Sequence, residues 1–216
     1  MNRSILTTAL LCSLSLSACA PAVIFGGAVA GAYATSDRRS IEQQIDDKKL
    51  DALVERRIEE NFGDSIHVNA TAYNGALLLT GEIPSAELRT KFQQLIALTP
   101  GVKRLIDQTK LIPLSSTQWR LNDAAMTAKV KSRLANTDAF HIAHIKVVTE
   151  GNDVYLMGRV AQKEADAAIE IARTTAAVNR VVNVFEIMSD EEWQKEIAAT
   201  RPVDNRTSER TESPKK

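Results

Sequence analysis

Cysteine is nearly absent from this chain: its 216 residues hold two, Cys12 and Cys19. Cys12 lies in an apolar stretch expected to be removed, so no thiol pair survives. That excludes a disulfide framework and a cysteine zinc site. Aromatic residues make up only 5%, so any core must be built mainly from Val, Ile, Leu and Ala. Net charge is lacking too, with 27 basic and 27 acidic side chains. This balance speaks against a nucleic-acid binder, which carries a clear basic excess. No long hydrophobic run is present. The apolar stretch Ile5 to Leu16 falls short of the about 20 residues that span a bilayer, and reads as a targeting peptide. Catalytic signatures are missing: no His-Glu-x-x-His pair, no Gly-x-Ser-x-Gly elbow and no phosphate loop. His141 and His144 are three apart but have no third ligand nearby beyond Asp138. The carboxylates are scattered, and the pair Asp46-Asp47 reads as favouring a helix start. The expectation is a non-enzyme with no cofactor and no metal site.

What is present begins with Leu16-Ser17-Ala18-Cys19, behind Arg3 and the apolar run. A short basic region, an apolar region, small residues and then cysteine form the pattern of a bacterial lipoprotein signal. Residues 1–18 are read as the signal peptide and Cys19 as the lipid-anchor residue. Stable anchoring takes more than one acyl chain, since each buried CH₂ contributes only ~0.8 kcal/mol. Ala20, in place of Asp, resembles the sorting pattern for the inner leaflet of the outer membrane. Residues 19–45 are read as a lipidated tether, opening with an Ala/Gly/Val-rich stretch. Arg201 to Lys216, with two prolines and many Ser, Thr, Glu, Arg and Lys residues, are read as a disordered tail. Residues 189–200 read as a short helix capped by Ser189.

Between tether and tail the chain repeats itself. His67 to Gly81 aligns without a gap on His144 to Gly158, and Thr99 to Ile106 aligns on Thr175 to Val182 after a one-residue deletion. Upstream, Leu50, Val54 and Ile58 answer to Met126, Val130 and Leu134, apolar residues four apart on a helix. Each copy then has a strand, a turn (Tyr73-Asn74-Gly75 or Glu150-Gly151-Asn152-Asp153) and an alternating strand with Leu77 and Leu79, or Val154 and Leu156, on one face. A second helix follows, from about Ser85 to Leu98 or Lys163 to Thr174, then a last strand. The two copies fill residues 46–113 and 117–188, with Pro113 to Ser116 between them. The fold class is α+β, each copy α-β-β-α-β with helices on one face of a small mixed sheet.

This order, with its hairpin glycine and strand-end glycine, resembles the BON domain. Duplicated behind a lipobox and the segment Thr35-Ser36-Asp37-Arg38-Arg39-Ser40, it resembles the dual-BON outer-membrane lipoproteins of the DolP type. The resemblance implies a periplasm-facing, non-enzymatic protein that supports envelope integrity. It implies binding of anionic phospholipid through the first helix of the second module, and links to division-site or outer-membrane assembly proteins.

In this chain that helix, read as Asp123–Asn136, has Lys129, Lys131 and Arg133 and no acid between Ala124 and Thr137. Met126, Val130 and Leu134 lie between the basic flanks. Met126, Lys129, Lys131 and Arg133 are therefore the candidate phospholipid-binding residues. Each basic side chain near an anionic surface contributes ~1 kcal/mol. The equivalent first-module helix mixes Glu55, Arg56, Arg57, Glu59 and Glu60, so its charge nearly cancels. Lipid-binding relatives tend to carry bulky apolar residues where this chain has Ala125 and Ala135. Trp119 either replaces that anchor or packs in the linker. The alternative reading is an adaptor docking on an envelope-assembly partner, with lipid contact only through the anchor; a plain spacer is the third.

Overall fold

The computed structural model describes residues 37–200. Cys19, the expected signal and most of the tether, and the tail from 201 onward lie outside them. In the first module α1 (Ile41–Phe62), β1 (His67–Tyr73), β2 (Ala76–Glu82), α2 (Ala86–Ala97) and β3 (Arg104–Lys110) follow in order. The second module has α3 (Thr117–Ala135), β4 (Ile145–Glu150), β5 (Asp153–Val160), α4 (Gln162–Arg173), β6 (Arg180–Asn183) and β7 (Glu186–Ile187). A final helix, α5 (Asp190–Thr200), closes the described chain. Among the described residues no helix is long and apolar enough to cross a membrane.

Each module has an antiparallel hairpin, β1–β2 or β4–β5, whose second strand also pairs in parallel with the strand after the second helix. The hairpin turns take Asn74-Gly75 and Gly151-Asn152 into positive φ, the tight-turn geometry that Asn and Gly tolerate. The strand-end glycines have a different cause. A Cβ on Gly81 would collide with the backbone carbonyl of His67 on the paired strand, and one on Gly158 with the carbonyl of His144 just before β4. The last strand of the second module is broken in two. Between β6 and β7, Phe185 enters the helix-side core and Val184 enters the core between the sheets.

Three cores result. Leu50, Val54, Ile58, Leu77, Leu79 and Phe92 pack beneath the first module's helices. Met126, Val130, Leu134, Val154, Leu156 and Ala168 do the same in the second. The third core holds Tyr73 and Leu78 of one sheet against Tyr155, Met157 and Val184 of the other. The modules thus stack sheet to sheet, with helices outermost, a layered packing that buries β2 along its whole length. This explains the run Ala76-Leu77-Leu78-Leu79, which a one-faced strand would not need.

Two expectations need correcting. First, α1 starts at Ile41, not near Asp46. Its start is capped by Ser40, whose hydroxyl accepts from the Gln43 N–H while the Gln43 side chain accepts from Ser40 N–H. Asp47 is buried in the second turn, and its carboxylate accepts the backbone N–H groups of Asn74 and Gly75 at 2.7 and 2.9 Å. Asp123 does the same for Gly151 and Asn152, both at 2.9 Å. The two aspartates tie helix to hairpin in each copy. Second, α3 begins at Thr117 and not near Asp123, so Trp119 sits in its first turn, 55% exposed.

The segment before α1 fastens the modules together. Arg38 donates two hydrogen bonds to Glu164 of the second module, at 2.6 and 3.0 Å, with both side chains almost wholly buried. Its guanidinium lies 5.2 Å from the Trp193 ring centroid. Arg39 pairs with Asp37 and Asp47 and stacks 4.0 Å above Tyr73. Burial opposes ionisation of Glu164, but the Arg38 hydrogen bonds and the Ala161 N–H hold its pKa below the ordinary value.

Candidate functional site

On an α-helix successive residues step by about 100°, so the buried row Asp123, Met126, Val130 and Leu134 fixes which side of α3 faces solvent. The outward row is Leu121, Ala124, Ala125, Ala128, Ser132 and Ala135, all exposed and none charged. Lys131 lies on one flank of this row and Lys129 on the other. Leu121 is 59% exposed, and Trp119 stands at the helix start.

The four expected lipid-contact residues part company here. Met126 is buried in the second module's core, packed beneath α3, and cannot present its side chain to a surface. The reading of Met126 as a contact residue is therefore a correction: the same four-residue spacing that marked it is the spacing of a core-facing row. Arg133 is exposed but engaged. Its guanidinium donates to the Ile171 carbonyl and to the hydroxyls of Thr175 and Thr174, at 2.8, 2.6 and 3.1 Å. Arg57 does the same in the first module, donating to the Leu98 carbonyl and the Thr99 hydroxyl, both at 3.0 Å. An arginine spent in both copies on the last turn of the neighbouring helix is a fold device. Lys129 donates to the Ala176 carbonyl at 3.0 Å, but remains exposed at the surface. Lys131 projects from the exposed face.

A second cluster lies where the two sheets meet. His67, Glu82 and Glu150 place one ligand atom each within 4.8 Å of one another. Glu150 Oε2 accepts from Asn69 Nδ2 at 2.9 Å, and Glu82 Oε2 accepts from the Ser115 hydroxyl at 3.1 Å. Burial pushes Glu150 up to about 7, helped by the neighbouring Glu82 and Asp123 carboxylates. Burial, and then Arg120, lowers His67. The sequence marks His67 only as the start of a repeated segment and gives Glu82 and Glu150 no distinguishing pattern. The pointer to the cluster in the sequence is the shared repeat position of His67 and His144, because the third ligand comes from the other module. His141 and His144 lie with ring centroids 5.7 Å apart, and His141 Nδ1 accepts from Ala143 N–H, capping a short turn.

The match to a known family agrees with the repeat. The family model described as the BON domain matches residues 46–113 and again 122–189. The outer membrane lipoprotein DolP of Haemophilus influenzae is 33% identical over 82% of this chain and 92% of its own length. The 21 kDa hemolysin of Actinobacillus pleuropneumoniae is 29% identical over 69% of this chain and 78% of its own length. Among solved structures, CdsD, a structural protein of the type III secretion system of Chlamydia trachomatis, aligns over 69% of this chain and 97% of that one. Its identity is 14% and its TM-score 0.29.

Proposed function

This chain belongs to the BON-domain family, alongside the outer membrane lipoprotein DolP, and from that premise we propose that it is an adaptor held to the outer membrane and facing the periplasm, whose second module touches anionic phospholipid through α3. Acylation at Cys19 supplies the anchor. The kinship points to a non-catalytic protein, and the reading needs no reaction.

The observation that carries the proposal is the uncharged outward row of α3. A helix lying on a membrane sinks an apolar face to the headgroup boundary and keeps its cations on the flanks. Leu121 and the alanines give that face, Lys129 and Lys131 the flanks, and Trp119 an indole at the helix start, a side chain that favours the interface. The contact is weak by itself, because alanines bury little area and the available cations contribute ~1 kcal/mol each. The acyl anchor makes such weakness useful by raising the effective concentration of the helix at the leaflet. Arg133 contributes to surface charge while serving the fold.

The test is co-sedimentation of the full mature chain carrying Cys19→Ser with vesicles containing phosphatidylglycerol, compared with phosphatidylcholine alone. Binding should require the anionic lipid and weaken with salt. Lys131→Glu together with Leu121→Asn, both at exposed positions, should lower the affinity at least tenfold. Undiminished binding by this variant would remove α3 from the mechanism. The adaptor-only reading draws on a different surface, where Leu98 and Leu105 of the first module are 76% and 47% exposed. It predicts a protein cross-link, formed through those residues, that survives the α3 substitutions.

A further inference from the structure

The cluster at the junction of the sheets has no part in lipid contact, and it is built from three strands. His67 opens β1, Glu82 ends β2, and Glu150 ends β4 of the other module. The side chains of His67 and Glu150 are 19% and 5% exposed, and Glu82 is buried as well. His67 Nε2 lies 3.8 Å from Glu150 Oε1. The amide nitrogen of Asn69 lies 3.4 Å from His67 Nε2 while donating to Glu150 Oε2. Acceptor atoms from both modules therefore converge on the space around one partial positive charge.

The surroundings favour a full positive charge there. A cleft of about 390 Å³ reaches the cluster from solvent, and its charged lining is Glu55, Asp123, Glu150 and Arg120. Asp123 is committed to the hairpin turn, and Arg120 donates to the Ser115 carbonyl at 3.1 Å. Among the described residues neither Glu82 nor Glu150 has an ion pair with a lysine or arginine. Two buried carboxylates facing each other without such a partner are costly, and a bound cation removes the cost.

The duplication supplies an internal control. The positions equivalent to His67, Glu82 and Glu150 in the repeat are His144, Arg159 and Tyr73. There the Tyr73 hydroxyl accepts from Arg159 N–H at 3.2 Å, and the Arg159 side chain pairs with Glu186 and Glu192. One junction is thus closed by a phenol on a backbone N–H, with the arginine side chain already paired, while its twin presents an imidazole and two carboxylates.

We propose that His67, Glu82 and Glu150 bind one divalent transition-metal ion, of the Zn²⁺ class, and that this ion clamps the two modules together. One imidazole nitrogen with two carboxylate oxygens suits Zn²⁺ and its neighbours, whereas Ca²⁺ prefers six or more oxygens. Turning the Asn69 amide over would offer its oxygen as a further ligand, since the two amide orientations are nearly isosteric.

The full mature chain carrying Cys19→Ser, so that no thiol competes, is stripped of metal and titrated calorimetrically with ZnCl₂ and with CaCl₂. Thermal unfolding is followed alongside. One Zn²⁺ per chain should bind and raise Tm by several degrees, with Ca²⁺ at least tenfold weaker. His67→Ala and Glu150→Gln should each weaken Zn²⁺ binding at least tenfold, and His141→Ala should leave it unchanged. Absence of Zn²⁺ binding, equal binding of Ca²⁺, or binding undiminished by Glu150→Gln overturns the proposal. Glu150→Gln decides alone if His67→Ala does not fold, because it keeps the size and the acceptor oxygen.

Discussion

The outward row of α1 in the first module is Ile45, Lys48, Lys49, Ala52, Arg56 and Glu59. The equivalent row of α3 in the second is Leu121, Ala124, Ala125, Ala128, Ser132 and Ala135. Beneath these rows the copies agree closely: Asp47 and Asp123 hold the hairpins, and Arg57 and Arg133 hold the second helices. The positions that hold the fold together kept their shared bonds in both copies, while the outward rows differ. The difference teaches that function in this chain is to be sought where the copies disagree: on α3 and at the unequal sheet junctions.

The comparison breaks most severely at the strap that spans both copies. Arg38→Ala strands the buried Glu164 carboxylate and should cost about 3–5 kcal/mol at pH 7 in chemical denaturation, the usual result of halving a buried ion pair. The Glu164 pKa is lowered on folding, so its contribution is present above the ordinary carboxylate value of 4.5 and is lost as pH falls through the lowered one. The loss caused by Arg38→Ala should therefore shrink in acid. A cost that stays constant from pH 7 to pH 3 would contradict the ion-pair account.

Next in size are the paired aspartates. Asp123→Ala leaves two backbone N–H groups without their acceptor and should cost about 2–3 kcal/mol. Asp47→Ala should cost more, because Asp47 also pairs with Arg39. Equal losses in urea titrations would mean that the Arg39 contact adds nothing.

Glu150→Gln should act in the opposite direction, measured with chelator present. The raised pKa means that the folded chain binds more protons than the unfolded one between about 4.5 and 7. Stability from this group therefore falls as pH rises through that window, and the penalty is complete above it. A shift of this size sets a ceiling of about 3 kcal/mol. The variant should be more stable than the native chain by about 2 kcal/mol at pH 8 and nearly neutral at pH 4. Tm measured at the two pH values checks this.

The smallest expected effect is on the helix faces. Lys131→Glu should weaken vesicle binding by a factor equivalent to about 1–2 kcal/mol, whereas Lys49→Glu on the first module should change it little. Equal effects would return the comparison to overall charge.

Part of this was legible beforehand for definite reasons. Val54 and Val130, Gly81 and Gly158, and the Asn-Gly and Gly-Asn turns recur in register because each satisfies a local need of the same chain path. Those needs operate within a few residues or across one hairpin, and a sequence displays them. Met126 was misread because a row four apart marks a helix face without saying whether lipid or a sheet covers it. Asp47 was misread as a helix-start residue because its partners lie across the hairpin. Glu150 gave no signal at all, since what makes it unusual is supplied by Glu82 and His67 of the other module.

The order of elements, the duplication, the turns and the helix-side cores were set by the sequence alone, because local backbone preferences and the spacing of apolar residues decide them. The face-to-face stacking of the sheets, the Arg38 strap and the gathering of His67, Glu82 and Glu150 were decided only by tertiary structure. Each depends on distant residues meeting in a water-poor space, where the energy of a charge is fixed by its neighbours and not by its position in the chain.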